Sequence, residues 1–127
     1  MSAKSNYAET LALTFLLTTD PVTRPTAWYV ALHTGAPGED GTNAELAGNG
    51  YTRQAATFSV TGDAATNDAQ ILFGPATASW GSVSHFSVWD ANSAGNCLYQ
   101  GALDETKSYG INDEVKFPPA ALVINEA

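Results

Sequence analysis

Trp80-Gly-Ser-Val-Ser-His-Phe-Ser-Val-Trp-Asp90 is the stretch on which the fold turns. Phe86 and Val88 recur at every second position, the period of a strand with one face against a core. Trp28-Tyr-Val-Ala-Leu-His-Thr-Gly35 repeats the pattern, with Trp28, Val30 and Leu32 on one side. Neither stretch contains a recognisable catalytic motif. Together they predict a packed β scaffold that reads as structural before it reads as chemical.

From residue 26 onwards every apolar segment is short, rich in Val, Thr, Phe, Tyr or Trp, and bounded by Gly, Asn, Asp or Pro. Strands are expected over 27–33, 51–60, 69–73, 83–89, 98–103, 114–117 and 121–124, with 76–80 as an eighth. Turns are expected near 61–67, at Gly74-Pro75, near 90–96 and near 106–113. This spacing predicts a mainly β fold, an antiparallel, jelly-roll-like β-sandwich of seven or eight strands. The loop 34–50 is long and holds five glycines beside Glu39, Asp40 and Glu45, as expected of a mobile or contacting element.

Ahead of the strands, residues 1–5 have no pattern and read as an arm. Asn6 with Glu9 three positions later has the form of a capping box, and one short helix is expected over 7–18. Ala8, Leu11, Ala12, Phe15 and Leu16 form a single apolar stripe, which must dock on something. Asp20-Pro21 and Arg24-Pro25 end the helix. At 127 residues the chain is expected to be one domain: arm 1–5, helix with its cap 6–18, sandwich 26–125. No internal repeat or low-complexity segment is evident.

Composition narrows the function. Five basic against thirteen acidic residues give a net charge of −8, which repels a phosphate backbone and argues against nucleic acid. No apolar run reaches the ~18 residues of a membrane span, and the N-terminus lacks the basic and apolar regions of a secretory signal. A chain made in the cytosol and not exported is expected. Charged residues are only 14% of the total, against about 25% in ordinary soluble domains. A surface poor in Lys and Glu loses less side-chain entropy and less hydration on packing, so it suits a protein that works within an assembly.

The residues that could carry chemistry have structural readings. A zinc enzyme would need His33 and His85 to converge with a carboxylate, and no two-histidine helical motif is present. Ser82, Ser84 and Ser87 lie in or beside a strand, away from any nucleophile elbow. Acids cluster in turns at Asp63 and Asp68, Asp104 and Glu105, and Asp113 and Glu114, where solvated carboxylates are ordinary. Three turns rich in Asp and Asn have oxygen ligands for a hard cation, around Asp40, Asp63 and Asp90, but none has EF-hand spacing. The lone Cys97, in the run Cys-Leu-Tyr, reads as a small buried hydrophobe. Of the aromatic residues, Trp80 beside Gly81 is the one expected at an exposed rim, where it would offer a sugar platform. No catalytic, metal or cofactor site is expected.

Five motifs occur in order: Trp28-Tyr-Val-Ala-Leu-His-Thr-Gly-x-Pro37, Gly50-Tyr-Thr-Arg-Gln54, Asn67 followed by Ile71-x-Phe73, Trp80-Gly-Ser-Val-Ser-His-Phe-x-Val-x-Asp90, and Leu98 to Leu103 followed by Ala121-Leu-Val-Ile124. Over roughly 26–125 the chain resembles a family of small tailed-bacteriophage virion proteins, commonly labelled tail-fibre proteins. Similar small β-sandwich proteins decorate phage capsids as trimeric cement. The chain departs from the pattern at Pro118-Pro-Ala-Ala121, where a glycine is expected before the last strand. The resemblance implies no catalytic residues.

It implies a non-enzymatic structural protein of the virion. The first expectation is a capsid decoration, or cement, protein that binds the major capsid protein on the outer capsid surface as a homotrimer and stabilises the head. The alternative is a tail-fibre or tail-associated adhesin that meets a host glycan. Partner contacts are expected from Tyr7 and Phe15 of the helix, Glu39, Asp40 and Glu45 of the loop, and Arg53, Trp80 and His85. Neither nucleic acid nor membrane is expected as a partner.

Overall fold

The two Trp-led segments are neighbours in space because each can satisfy its backbone on the other while turning the same face inward. In the computed structural model, which describes residues 2–125, β2 (Trp28–His33) lies antiparallel to β7 (Gly81–Trp89). The register sets Val30 against Val88 and Leu32 against Phe86. All four side chains are buried in the main core. The alternating residues, Ala31, His33, Ser87 and Trp89, are buried as well, so this central pair is covered on both faces.

Around it the chain supplies β1 (Ser2–Lys4), α1 (Asn6–Leu17), β3 (Gln54–Ala56), β4 (Phe58–Thr61), β5 (Ala64–Asn67), β6 (Ile71–Phe73), β8 (Cys97–Tyr109), β9 (Val115–Phe117) and β10 (Val123–Asn125). One sheet runs β1-β8-β7-β2-β3; opposite it lie a three-stranded sheet, β10-β5-β4, and the β6-β9 pair. Ile71, Phe73, Val115 and Ile124 from the smaller sheets, with Leu122 just ahead of β10, close on Val30, Leu32, Val83, Phe86 and Val88 from the larger. The fold is mainly β, antiparallel, with one helix, and is compatible with the expected sandwich. Among the described residues there are ten strands where seven or eight are expected.

The differences have physical causes. The arm becomes β1 because Ser2, Ala3 and Lys4 pair with Gly101, Gln100 and Tyr99, a backbone contact that needs no side-chain pattern. The helix is capped one residue early. Ser5, fully buried, accepts from the Ala8 N–H at 3.1 Å and donates to the Cys97 carbonyl, so one hydroxyl starts the helix and ties it to β8. The expected 51–60 strand divides at Thr57, where β3 leaves β2 and β4 begins pairing with β5. The expected 61–67 turn is mostly β5, joined to β4 through Gly62 and Asp63. β8 continues to Tyr109, through the first half of the expected 106–113 turn, because Gly81, Ser82 and Val83 offer it ladder partners; Thr106, Lys107 and Ser108 are exposed there, while Tyr109 packs on the core. Residues 76–80 form no strand; Ala76 bonds instead to Asn112 and Asp113 of the facing turn.

Asn67 organises the end of the chain. Its Nδ2 donates to the carbonyls of Ala69 at 2.8 Å and Pro118 at 3.0 Å, and its Oδ1 accepts from the Leu122 N–H at 2.9 Å. Its own carbonyl accepts from Ala120 at 2.9 Å. This explains the departure at 118–121: Ala120 itself adopts the left-handed conformation, φ +66°, that a glycine would take. Asn67→Ala would strip buried partners from several backbone groups at once. Urea denaturation should show a loss of about 3 kcal/mol with β10 the first region to exchange its amide protons.

Candidate functional site

Two regions stand out, a polar cluster behind the central strands and an apolar groove beside the helix. The first arises because β3 pairs with β2 only as far as Val30. Beyond that point the loop 34–50 takes over the exposed edge: Leu46 N–H donates to the Leu32 carbonyl at 3.0 Å, and Thr34 N–H to Ala44 at 3.0 Å. The Tyr51 hydroxyl accepts from the Leu32 N–H at 3.2 Å and donates to Glu45 at 2.8 Å. The loop that composition marks as mobile is thereby laid along a strand.

His33 ties the loop down from within. Its Nδ1 lies 2.7 Å from the Asn43 carbonyl and its Nε2 2.7 Å from Ser87 Oγ, while Trp89 Nε1–H donates to that same oxygen at 2.6 Å. A carbonyl only accepts, so the neutral ring carries its proton on Nδ1 and Nε2 accepts from the Ser87 hydroxyl. Donors and acceptors therefore run in one direction, Trp89 to Ser87 to His33 to Asn43. A second proton on the ring would aim two donors at Ser87 and displace its hydroxyl hydrogen. Burial holds the imidazole below its ordinary pKa of 6.5, against the opposing pull of the Asn43 carbonyl and Glu45.

Arg53 locks the outside. Its Nε and Nη2 each lie 2.9 Å from a Glu45 carboxylate oxygen, and Nη1 donates to the carbonyls of Ala91 and Ala94 at 3.1 and 2.9 Å. The guanidinium also stands 3.9 Å from the centroid of a Trp89 ring. One side chain thus joins the loop, the strand entry and the 90–96 turn. Burial would raise the Glu45 carboxyl, but hydrogen bonds from Arg53 and Tyr51 outweigh it and hold the group below its usual range. Gly41 completes the closure at φ +76°, where a Cβ would come within 2.5 Å of the Cys97 sulfur. Burial pushes the Cys97 thiol up to about 12, which leaves it a packing group.

Two of the turn acids close their own loops. Asp40 accepts from the Thr42 hydroxyl and N–H, and Asp90 from Asn96 through both carboxylate oxygens. His33 and His85 are cross-strand partners, yet the His33 nitrogens are engaged as above and His85 Nδ1 lies 2.6 Å from Ser84 Oγ. Among the described residues no three His, Cys, Asp or Glu side chains converge as a metal-ligand set, and no helix is long and apolar enough to cross a membrane.

The second region is apolar. The N-terminal half of α1 docks through buried Ala8 and half-buried Leu11 and Ala12, but Phe15, Leu16 and Leu17 are 67%, 73% and 75% exposed. The expected stripe therefore docks over only half its length. Beneath the overhang lies a groove of about 620 Å³ between the helix, the 22–25 segment and Trp28, Leu98 and Tyr99.

Of the residues expected to meet partners, Phe15, Glu39 and Asp40 are exposed, and Tyr7 and His85 are half-buried. Glu45 and Arg53 are drawn into one ion pair with side chains 22% and 8% exposed. Trp80 is not at a rim. It is buried, its Nε1–H donates to the Asn49 carbonyl at 2.9 Å, and its ring meets Tyr51 edge-on at 6.1 Å. The sequence reading missed the overhanging leucines Leu13 and Leu17, whose signal is an α1 half in which Thr14 is the one polar residue from 11 to 17.

A family model described as podophage GP4 fiber I protein gp80 matches residues 3–125. No curated protein matches the chain.

The cluster should make the fold sensitive to acid. His33 binds its proton more weakly folded than unfolded, so its contribution is complete above pH 6.5 and fades as pH falls below that value. Glu45, depressed from 4.5, adds a second loss at lower pH as it protonates in the fold. Urea midpoints should be flat from pH 7 to about 8, fall in two stages on acidification, and fall again above pH 9, where the unfolded chain ionises the Cys97 thiol that the fold keeps protonated. At pH 7, Arg53→Lys should cost about 2 kcal/mol by urea denaturation, because an ammonium cannot reproduce the fork on Glu45 while reaching Ala91 and Ala94.

Proposed function

We propose a tail-fibre role for this chain, because it belongs to the podophage GP4 fiber I protein family and is thereby a structural component of a phage particle. The observation that carries the proposal is the extent of the match, 3–125, which spans nearly all of the 127 residues. The chain works by binding, not by catalysis. The loops that could have held a mobile site are fastened by His33, Glu45 and Arg53, whereas the apolar half of α1 stands open to solvent. Such a surface is expensive to leave in water and marks a contact with other particle subunits.

Host recognition within this role would use the exposed loop tips at Glu39 and Asp40 and not an aromatic platform, since Trp80 is spent inside the core. Capsid decoration is the second reading. The net charge of −8, which would complement a basic patch on a major capsid protein, favours it.

Gold-labelled antibody against the purified chain separates the two readings on intact particles. The expected result is label on the tail. Label confined to the head would replace the tail-fibre role by decoration.

A further inference from the structure

We propose that the segment 34–44 is an acid-released strap: protonation of His33 lifts it off Trp89 and Cys97 while the main core stays folded. The device does not depend on where in the particle the chain sits.

Polar contacts hold the strap more than packing does. Within 34–44 only Pro37 and Gly41 are buried, and no side chain of the segment belongs to the main core. Val30, Leu32, Phe86 and Val88 face the other way, into that core. Opening the strap therefore costs little apolar burial, which is the property of a segment that opens by itself. One end is anchored by the Arg53 fork on Glu45. Three contacts hold the rest to the body of the protein: Thr34 N–H on the Ala44 carbonyl closes its mouth, the Glu39 carbonyl accepts the Asn6 N–H at 2.9 Å, and the Asn43 carbonyl meets His33.

His33 is the pin that acid withdraws. The ring is fully buried, with Nδ1 given to the strap and Nε2 to Ser87 of β7. Ser87 is fully buried too and already accepts the Trp89 indole N–H. A proton on Nε2 takes away the acceptor of the Ser87 hydroxyl in a site where a lost hydrogen bond is costly. The charged and titratable groups facing the ring are Glu45 at the anchor, Arg53 ahead of β3 and His85, its cross-strand partner on β7; the Tyr51 hydroxyl bonds to Glu45. Burial opposes a charged ring most, Arg53 and His85 add to it, and the Asn43 carbonyl and Glu45 offset only part. The closed strap thus binds the proton more weakly than the open one, and each pH unit below 6.5 favours opening by up to about tenfold.

Cys97 reports the opening. It is the chain's one cysteine, 3% exposed, and Gly41 of the strap lies against its sulfur. Its rate of reaction with a dipyridyl disulfide, divided by that of the urea-unfolded chain at the same pH, measures how often the strap is open. The ratio should rise roughly tenfold from about pH 7.5 to 5.5, above the range in which Glu45 protonates. Hydrogen exchange, corrected for intrinsic rate, should rise with it in peptides covering 34–44 and stay unchanged in those covering 83–88. His33→Gln should abolish both responses, and His85→Gln should leave both in place. A ratio that does not change with pH would overturn the proposal, as would loss of the response in His85→Gln. A rise shared equally by 34–44 and 83–88 would overturn it as well, because that pattern is global unfolding; this comparison in the wild-type chain decides the matter even if His33→Gln does not fold.

Discussion

Burial of β2 and β7 on both faces is the constraint on which the rest of the structure depends. A strand pair in a sandwich ordinarily shows one face to solvent. Here Val30, Leu32, Phe86 and Val88 fill the core, while Ala31, His33, Ser87 and Trp89 need a second cover. The loop 34–50 supplies it, and because His33, Ser87 and Trp89 are polar, it must bring hydrogen-bond partners along with bulk. The carbonyl of Asn43 meets that need for His33. Arg53 and Glu45 then seal the margin between the loop and the 90–96 turn.

This arrangement converts the most glycine-rich part of the chain into scaffold. Glycine at 41 is needed for a close approach to Cys97, not for motion. With its loops fastened, the protein retains one large unsatisfied surface, the overhanging half of α1 and the groove below it. A structural component of a particle has a use for such a surface, because burial of apolar area between subunits supplies cohesion without any moving part.

The strands with a strong two-residue period, β2 and β7, were legible because a buried face leaves its mark at every second residue. β1 and the outer half of β8 were not, since they are held by backbone pairing and Asp104 to Ser108 of β8 are exposed. The capping signal was legible to within one residue; the cap is Ser5 and not the expected Asn6 because the Cys97 carbonyl, ninety-two residues away, receives the Ser5 hydroxyl. Trp80 misled because a tryptophan beside a glycine turn resembles a rim residue until Asn49 and Tyr51 close over it.

The sequence by itself determined a mainly β chain with one N-terminal helix, an acidic surface low in charge and the family pattern of a phage particle protein. These follow from composition and short-range periodicity, which physical chemistry reads locally. Tertiary structure alone decided that Glu45 and Arg53 turn toward each other, that Asn67 holds the final turn, and that half of α1 stands uncovered. Each depends on which distant segments meet, and a pairwise contact between residues far apart in the chain leaves no periodic trace along it.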